Sequence, residues 1–154
     1  MGRALNEYET NKTVSWVHFA GFRWIYCFSI LMAWWVVRMF ITADAARVWM
    51  IVLASHTALT FVLFHWIRGQ PEGGLQGESV AHLTFWEQID GGVYGTPTRK
   101  FLIIVPVLLF FIATYNGGDN LNALAFNGLC TAVAVVPKHV GFHNVRLFGI
   151  NKQD

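Results

Sequence analysis

Four long runs of apolar residues, separated by charges and glycines, dominate the chain. They lie at about 22–41, 48–67, 101–118 and 121–137. The second run has twenty residues without a charge, which is about the length that a helix needs to cross the hydrocarbon layer. The third and fourth runs are shorter, and a buried helix of a soluble protein is the alternative for each. Their stronger neighbours favour membrane helices for all four runs.

The segments between the runs alternate between short and long. Residues 42–47 join the first two runs, and residues 116–120, rich in Gly and Asn, join the last two. Both segments are typical of tight turns between helices. Residues 68–100 form a longer loop. The pattern predicts an all-α membrane protein with a single domain over residues 1–154: a four-transmembrane-helix bundle of two helical hairpins joined by this loop.

The distribution of Lys and Arg gives the predicted bundle an orientation. Nine of the eleven basic residues lie in the N-terminal region, the long loop or the tail, and only Arg38 and Arg47 belong to the short connections. The N-terminal segment (1–20), the loop and the tail (138–154) should therefore face the cytosol. Asn11-Lys12-Thr13 is a glycosylation sequon, and this orientation predicts that it stays unmodified because glycosylation takes place in the lumen.

Composition supports the same class. Hydrophobic residues make up 55% of the chain and charged residues 13%, whereas a soluble domain has about a quarter charged residues. The net charge of +2 is too small to indicate a nucleic-acid partner, and none is expected. Cys27 and Cys130 lie in apolar runs without metal-ligand spacing, so we predict neither a disulfide framework nor a zinc site.

The histidines raise the question of a metal or acid–base site. His56 and His65 lie nine residues apart, which is about 180° around a helix, so they should point to opposite faces. The chain has no HExxH motif, no Gly-x-Ser-x-Gly and no paired acids in an apolar setting. We therefore predict no catalytic residue, no metal site and no enzyme. His56 is expected to hydrogen-bond a neighbouring helix, because a polar group within a span needs a partner.

Two local features carry structural predictions. In Ser79–Asp90, the side chains of His82, Phe85, Trp86 and Ile89 fall on one helical stripe and Glu87 and Gln88 lie off it. This pattern indicates a short amphipathic helix at the membrane interface, or a loop helix that caps the bundle. Pro106 is expected to kink or loosen the third span.

An alternative function follows from polar residues within the predicted spans. A small membrane channel or transporter component would need a polar path between helices. The residues available for such a path are His56, Thr57, Thr60, Asn127 and Thr131.

Three sequence blocks carry information beyond composition. They are Trp86-Glu87-Gln88-Ile89-Asp90-Gly91-Gly92 followed by Arg99-Lys100-Phe101-Leu102, then Pro137-Lys138, and finally His143-Asn144-Val145-Arg146-Leu147-Phe148-Gly149-Ile150-Asn151. Together they resemble the ORM/ORMDL family of endoplasmic reticulum membrane proteins, over about Gly21 to Lys152.

The resemblance implies a regulatory subunit in the endoplasmic reticulum membrane. Members of that family bind serine palmitoyltransferase, the enzyme that starts sphingolipid synthesis, and restrain it when ceramide is abundant. The partners it implies are serine palmitoyltransferase subunits, ceramide and membrane lipid. No cofactor is expected on this chain, since pyridoxal phosphate would belong to the partner enzyme.

The resemblance also implies two sets of site residues. The family's N-terminal segment helps to form the ceramide site, so the ceramide-binding residues expected here are Asn11, Thr13, Phe22 and Phe85. Thr13 stands where the family usually has asparagine, and it keeps a hydroxyl but loses the second donor of an amide. A second set is expected either at a partner interface or in stabilising the fold: Trp86, Asp90, Arg99 and Arg146.

Overall fold

The computed structural model describes residues 11–41, 44–69, 80–142 and 145, and these ranges are helical apart from turns and one isolated bridge. The helices are α1 (Lys12–Ser15), α2 (Phe22–Phe40), α3 (Ala45–Phe61), α4 (Phe85–Gln88), α5 (Pro97–Gly117) and α6 (Leu121–Val135). A π-helical segment, Val62–Trp66, continues α3, and a 3-10 turn, Val136–Lys138, continues α6. The predicted all-α class is confirmed.

Three helical segments among the described residues are long and apolar enough to cross a membrane. They are Ala45–Trp66, Pro97–Gly117 and Leu121–Lys138, and they coincide with the predicted second, third and fourth spans. The predicted first span is the 19-residue helix α2. It is not among the three, because Arg23 and Arg38 at its two ends lower its mean hydropathy.

Helices α3, α5 and α6 pack against one another in the centre, and α2 packs chiefly against α3. The α2–α3 pair is antiparallel: the ring of Tyr26 lies 5.9 Å from that of His56, and further along α2 the ring of Trp34 lies 5.8 Å from that of Trp49. One apolar core cluster lies between the central helices and is formed by Leu53, Val105, Leu109 and Ala113.

Side-chain caps explain where several helices begin. Asp44, Thr84, Thr96 and Asn120 each accept a backbone hydrogen bond from the first turn of the helix that follows. Such residues satisfy N–H groups that have no partner within the helix. At Asp44 the backbone N–H of Arg47, assisted by its side chain, holds the pKa of the carboxyl below its usual value.

One prediction within the spans has a clear outcome. The phenol of Tyr26 lies 2.8 Å from Nε2 of His56, so the predicted hydrogen bond between His56 and a neighbouring helix is confirmed. Pro106 lies within α5, which continues as one helix from Pro97 to Gly117, and the predicted kink or loosening there stays a prediction.

The predicted amphipathic helix of the loop is wrong in extent and in its buried face. Residue 79 lies outside the described ranges, α4 covers only Phe85–Gln88, and His82 is exposed whereas Glu87 and Gln88 are buried. The reason is that these two polar side chains bind the backbone of the loop. Glu87 Oε2 accepts from the N–H of Thr84 at 2.7 Å, and Thr84 Oγ1 accepts from the N–H of Glu87 at 3.3 Å. The helix thus caps the end of the bundle.

Candidate functional site

The N-terminal segment is attached to the loop helix by a pair of buried amides. Asn11 is 8% exposed, and its Nδ2 donates to Oε1 of Gln88 at 3.0 Å. The Oδ1 of Asn11 accepts from the backbone N–H of Thr13 at 3.2 Å, which starts α1. One side chain therefore both caps the first helix and holds it against a segment 77 residues away.

Trp16 contacts the three remaining residues that the resemblance assigns to the ceramide site. Its indole N–H donates to the carbonyl of Thr13 at 2.9 Å. Its ring lies 5.1 Å from that of Phe22, edge to face, and 5.7 Å from that of Phe85. Thr13 is half-buried, and its hydroxyl makes no hydrogen bond with the described residues.

Gln88 connects this arrangement to the start of the loop. Its Nε2 donates to the carbonyls of Gly69 at 3.0 Å and Leu83 at 3.2 Å. The same region holds an isolated antiparallel bridge between Arg68 and Thr84. Residues 68–69 and 83–84 are therefore held next to each other beside α4.

Arg99 fixes the other end of α4. It is 1% exposed, and its Nη2 donates to the carbonyls of Trp86 at 2.8 Å and Ile89 at 2.7 Å. Its guanidinium carbon also lies over the ring of Trp86, 4.9 Å from the ring centre, and over that of Tyr94, at 4.4 Å. The planar shape of the guanidinium suits this combination of ring contact and donation.

Asp90 holds the turn that leads from α4 into α5. Its backbone adopts φ 53°, in the left-handed region, and Gly91 and Gly92 continue with positive φ. Aspartate enters this region more readily than most residues. Thr96 donates its hydroxyl to the Asp90 carboxylate, and His18 Nε2 lies 3.5 Å from the other carboxylate oxygen.

The structure thus brings Asn11, Thr13, Phe22 and Phe85 together, and we refer to these four residues with Trp16 and Gln88 as the N-terminal site. Trp86, Asp90 and Arg99 lie beside it, buried within the chain. Arg146 lies outside the described residues. Sequence reasoning missed Trp16 and Gln88 as site residues. The Trp-Glu-Gln block was the available signal for Gln88, since a glutamine beside a buried tryptophan needs partners.

The N-terminal site combines a polar half and an aromatic half. The Asn11 and Gln88 amides bind each other and backbone groups, whereas Trp16, Phe22 and Phe85 contribute apolar surface. Within the described ranges no three His, Cys, Asp or Glu side chains come together as metal ligands would. The half-buried Thr13 hydroxyl and the Trp16 ring, which is 43% exposed, are the parts of the site that a ligand can reach.

Sequence comparisons relate the chain to known proteins. Residues 11–146 match the sequence model described as the ORMDL family. The chain is 33% identical to the ORM1-like protein of Drosophila melanogaster over 147 residues, which covers 94% of each protein. It is 37% identical to human ORM1-like protein 2 over 106 residues, covering 68% of this chain and 69% of the human one. It is 32% identical to Protein ORM1 of Saccharomyces cerevisiae, covering 89% of this chain and 62% of the yeast protein.

Proposed function

Because the chain belongs to the ORMDL family, we propose that it is a regulatory membrane subunit that restrains serine palmitoyltransferase when ceramide is abundant. It would act in the endoplasmic reticulum membrane, with both termini in the cytosol. The observation that carries the proposal is the N-terminal site, where the segment implicated in ceramide binding is joined to the loop helix by the Asn11–Gln88 hydrogen bond.

We further propose that α2 crosses the membrane as a fourth span. The segment before α2 contacts the loop that follows α3, through Asn11 and Gln88. At its other end α2 leads to Asp44, where α3 begins. If Ala45–Trp66 crosses the membrane, α2 has to cover the same distance in the opposite direction. Its 19 residues extend about 28 Å, close to the thickness of the hydrocarbon core.

In the proposed mechanism, ceramide binding orders the N-terminal segment in an inhibitory position. The Thr13 hydroxyl and the Asn11 amide would bind the polar head, and the aromatic side chains would bind the chains. Ligand binding shifts a conformational equilibrium only when the ligand prefers one state. Ceramide would prefer the inhibitory state if its contacts with Thr13 and Asn11 form only when the N-terminal segment is docked on α4.

The test is the ceramide dose–response of serine palmitoyltransferase reconstituted with the full chain. Thr13→Ala is expected to weaken ceramide inhibition several-fold while the complex still assembles, since it removes the uncommitted hydroxyl and leaves the Asn11–Gln88 bond in place. Ser15→Ala is the matched control, because Ser15 is an exposed hydroxyl on the same short helix.

An unchanged response in Thr13→Ala would remove this residue from the ceramide site. Failure of the chain to copurify with serine palmitoyltransferase subunits from its own membranes would overturn the regulatory proposal itself. The two results are independent, since copurification does not require ceramide binding.

The alternative of a channel or transporter component gains no support from the polar residues within the helices. Thr57 donates its hydroxyl to the carbonyl of Cys130, Thr60 to that of His56, and Thr131 to that of Asn127. These hydroxyls bind the helix backbone, whereas a path for ions would need them for the passing ion.

A further inference from the structure

Pro106 leaves a gap in the hydrogen bonding of α5. Proline has no backbone N–H, so it cannot donate to the carbonyl four residues earlier, which is that of Leu102. Leu102 is 0% exposed. A carbonyl without a partner is costly in a helix surrounded by lipid, where no water replaces the missing bond.

Lys138 supplies the missing hydrogen bond. Its Nζ donates to the carbonyl oxygen of Leu102 at 2.9 Å, across 36 residues of sequence. Lys138 closes the 3-10 turn that continues α6 and is only 2% exposed. The side chain therefore reaches from the end of one helix into the backbone of its neighbour.

Two aromatic rings surround the same ammonium group. Its Nζ lies 5.5 Å from the ring centre of Phe64 and 5.6 Å from that of Trp86, within the range of cation–π attraction. The ammonium thus has one hydrogen-bond acceptor, the Leu102 carbonyl, and two rings that attract its charge. This explains how a buried lysine is accommodated although it makes no ion pair with a described residue.

We propose that Pro106 and Lys138 act as a matched pair, in which the lysine supplies the hydrogen bond that the proline withholds. Through Phe64 and Trp86 the same ammonium joins the ends of α5 and α6 to the π-helical end of α3 and to α4. The pair thereby fixes the loop end of the bundle on which the N-terminal site is built. The proposal does not depend on the proposed function.

The test is a double-mutant cycle on the full chain in detergent, read by thermal unfolding. Lys138→Met keeps the length and apolar stem of the side chain but leaves the Leu102 carbonyl without a donor, and we expect a loss of about 5 °C or more. Pro106→Ala restores the N–H. In the Pro106→Ala background, Lys138→Met should lower the unfolding temperature by less than half as much. Equal losses in both backgrounds would overturn the pairing.

Lys100→Met is the matched control for the loss of charge, because Lys100 is exposed on the first turn of α5. It should leave the unfolding temperature unchanged. A loss as large as that of Lys138→Met would show that the effect comes from any lysine in this region and would contradict the proposal.

A direct measurement covers the case in which the lysine variant fails to fold. Solid-state NMR on the otherwise unaltered chain, labelled with ¹⁵Nζ-lysine and ¹³C-carbonyl leucine, should detect a dipolar coupling between the two labels. The coupling should disappear in Leu102→Ile, which removes the labelled carbonyl while keeping an apolar side chain. Absence of the coupling, or its persistence in Leu102→Ile, would overturn the proposal.

Discussion

At the scale of single residues, Arg99 shows how a buried charge can organise backbone. Its Nη2 donates to the carbonyls of Trp86 and Ile89, and its guanidinium lies over the rings of Trp86 and Tyr94. Those carbonyls belong to the end of α4 and the turn after it, where helix carbonyls need partners from elsewhere. The loop helix is thus held from both ends, by its capping box and by Arg99.

Arg99→Lys tests this arrangement. An ammonium cannot reproduce the planar geometry with which the guanidinium contacts Trp86 and Tyr94 and donates to two carbonyls. We expect the substitution to lower the free energy of unfolding by about 2 kcal/mol, measured by denaturation in detergent. Arg47→Lys is the control, since the Arg47 side chain is 71% exposed and surface pairs contribute little. Equal effects at the two positions would refute the role of Arg99.

The sequence supports several of these residue assignments and fails at others for physical reasons. Asn11, Phe22 and Phe85 come together as the resemblance implied, although their role toward ceramide stays a prediction. Helical periodicity puts Gln88 off the stripe predicted to be buried, whereas the structure leaves it only 3% exposed. Its burial depends on hydrogen bonds to the carbonyls of Gly69 and Leu83, and the hydrophobic pattern of the sequence does not predict these partners.

At the scale of elements, a hydrogen bond between Tyr26 and His56 joins α2 to α3. The Tyr26 hydroxyl lies 2.8 Å from His56 Nε2, and the two rings meet edge to face at 86°. Most of α2 beyond Phe22 is exposed, including Trp24 and Phe28. The Tyr26–His56 pair is therefore one of the contacts that position α2 on α3.

Tyr26→Phe tests the contribution of that contact. It keeps the ring and removes the hydroxyl, so the buried Nε2 of His56 loses its partner. Hydrogen bonds between membrane helices are worth about 0.5–2 kcal/mol, and we expect a loss of unfolding free energy in that range. Tyr115→Phe is a matched control, because Tyr115 is 88% exposed. Thermal unfolding that is identical for both variants would contradict the assignment.

Element boundaries were predictable where caps and glycines mark them, and less so where helix type changes. The break between the last two long helices lies near the predicted connection at 116–120, since α5 ends at Gly117 and α6 begins at Leu121. The π-helical segment Val62–Trp66 was not foreseen. Its wider turn alters the angular spacing on which the comparison of His56 and His65 relied, and hydrophobic periodicity alone does not reveal it.

At the scale of the whole molecule, the four-span proposal and the cytosolic orientation can be tested together. Lys100 and Asp119 are both exposed and lie near opposite ends of α5. In a chain with Cys27 and Cys130 replaced by alanine, a membrane-impermeant maleimide should label Lys100→Cys in sealed microsomes. Asp119→Cys should react only after detergent opens the vesicles.

Glycosylation provides an independent check of the same orientation. Asn11 belongs to a sequon and also makes the buried bond to Gln88. A glycan on Asn11, detected by a mobility shift on enzymatic deglycosylation, would place the N-terminal segment in the lumen. It would also be incompatible with the docked segment, and the four-span proposal would then fail.

The bridge between Arg68 and Thr84 has a consequence for how this protein can be altered. Backbone bonds from Gly69 to Leu83 and from Phe85 to Ile67, at 3.0 and 3.1 Å, make the chain leave and re-enter the bundle at adjacent points. Doubling the length of a closed segment costs only about 0.6 kcal/mol. We therefore expect an epitope tag inserted between residues 69 and 80 to leave the described helices in place.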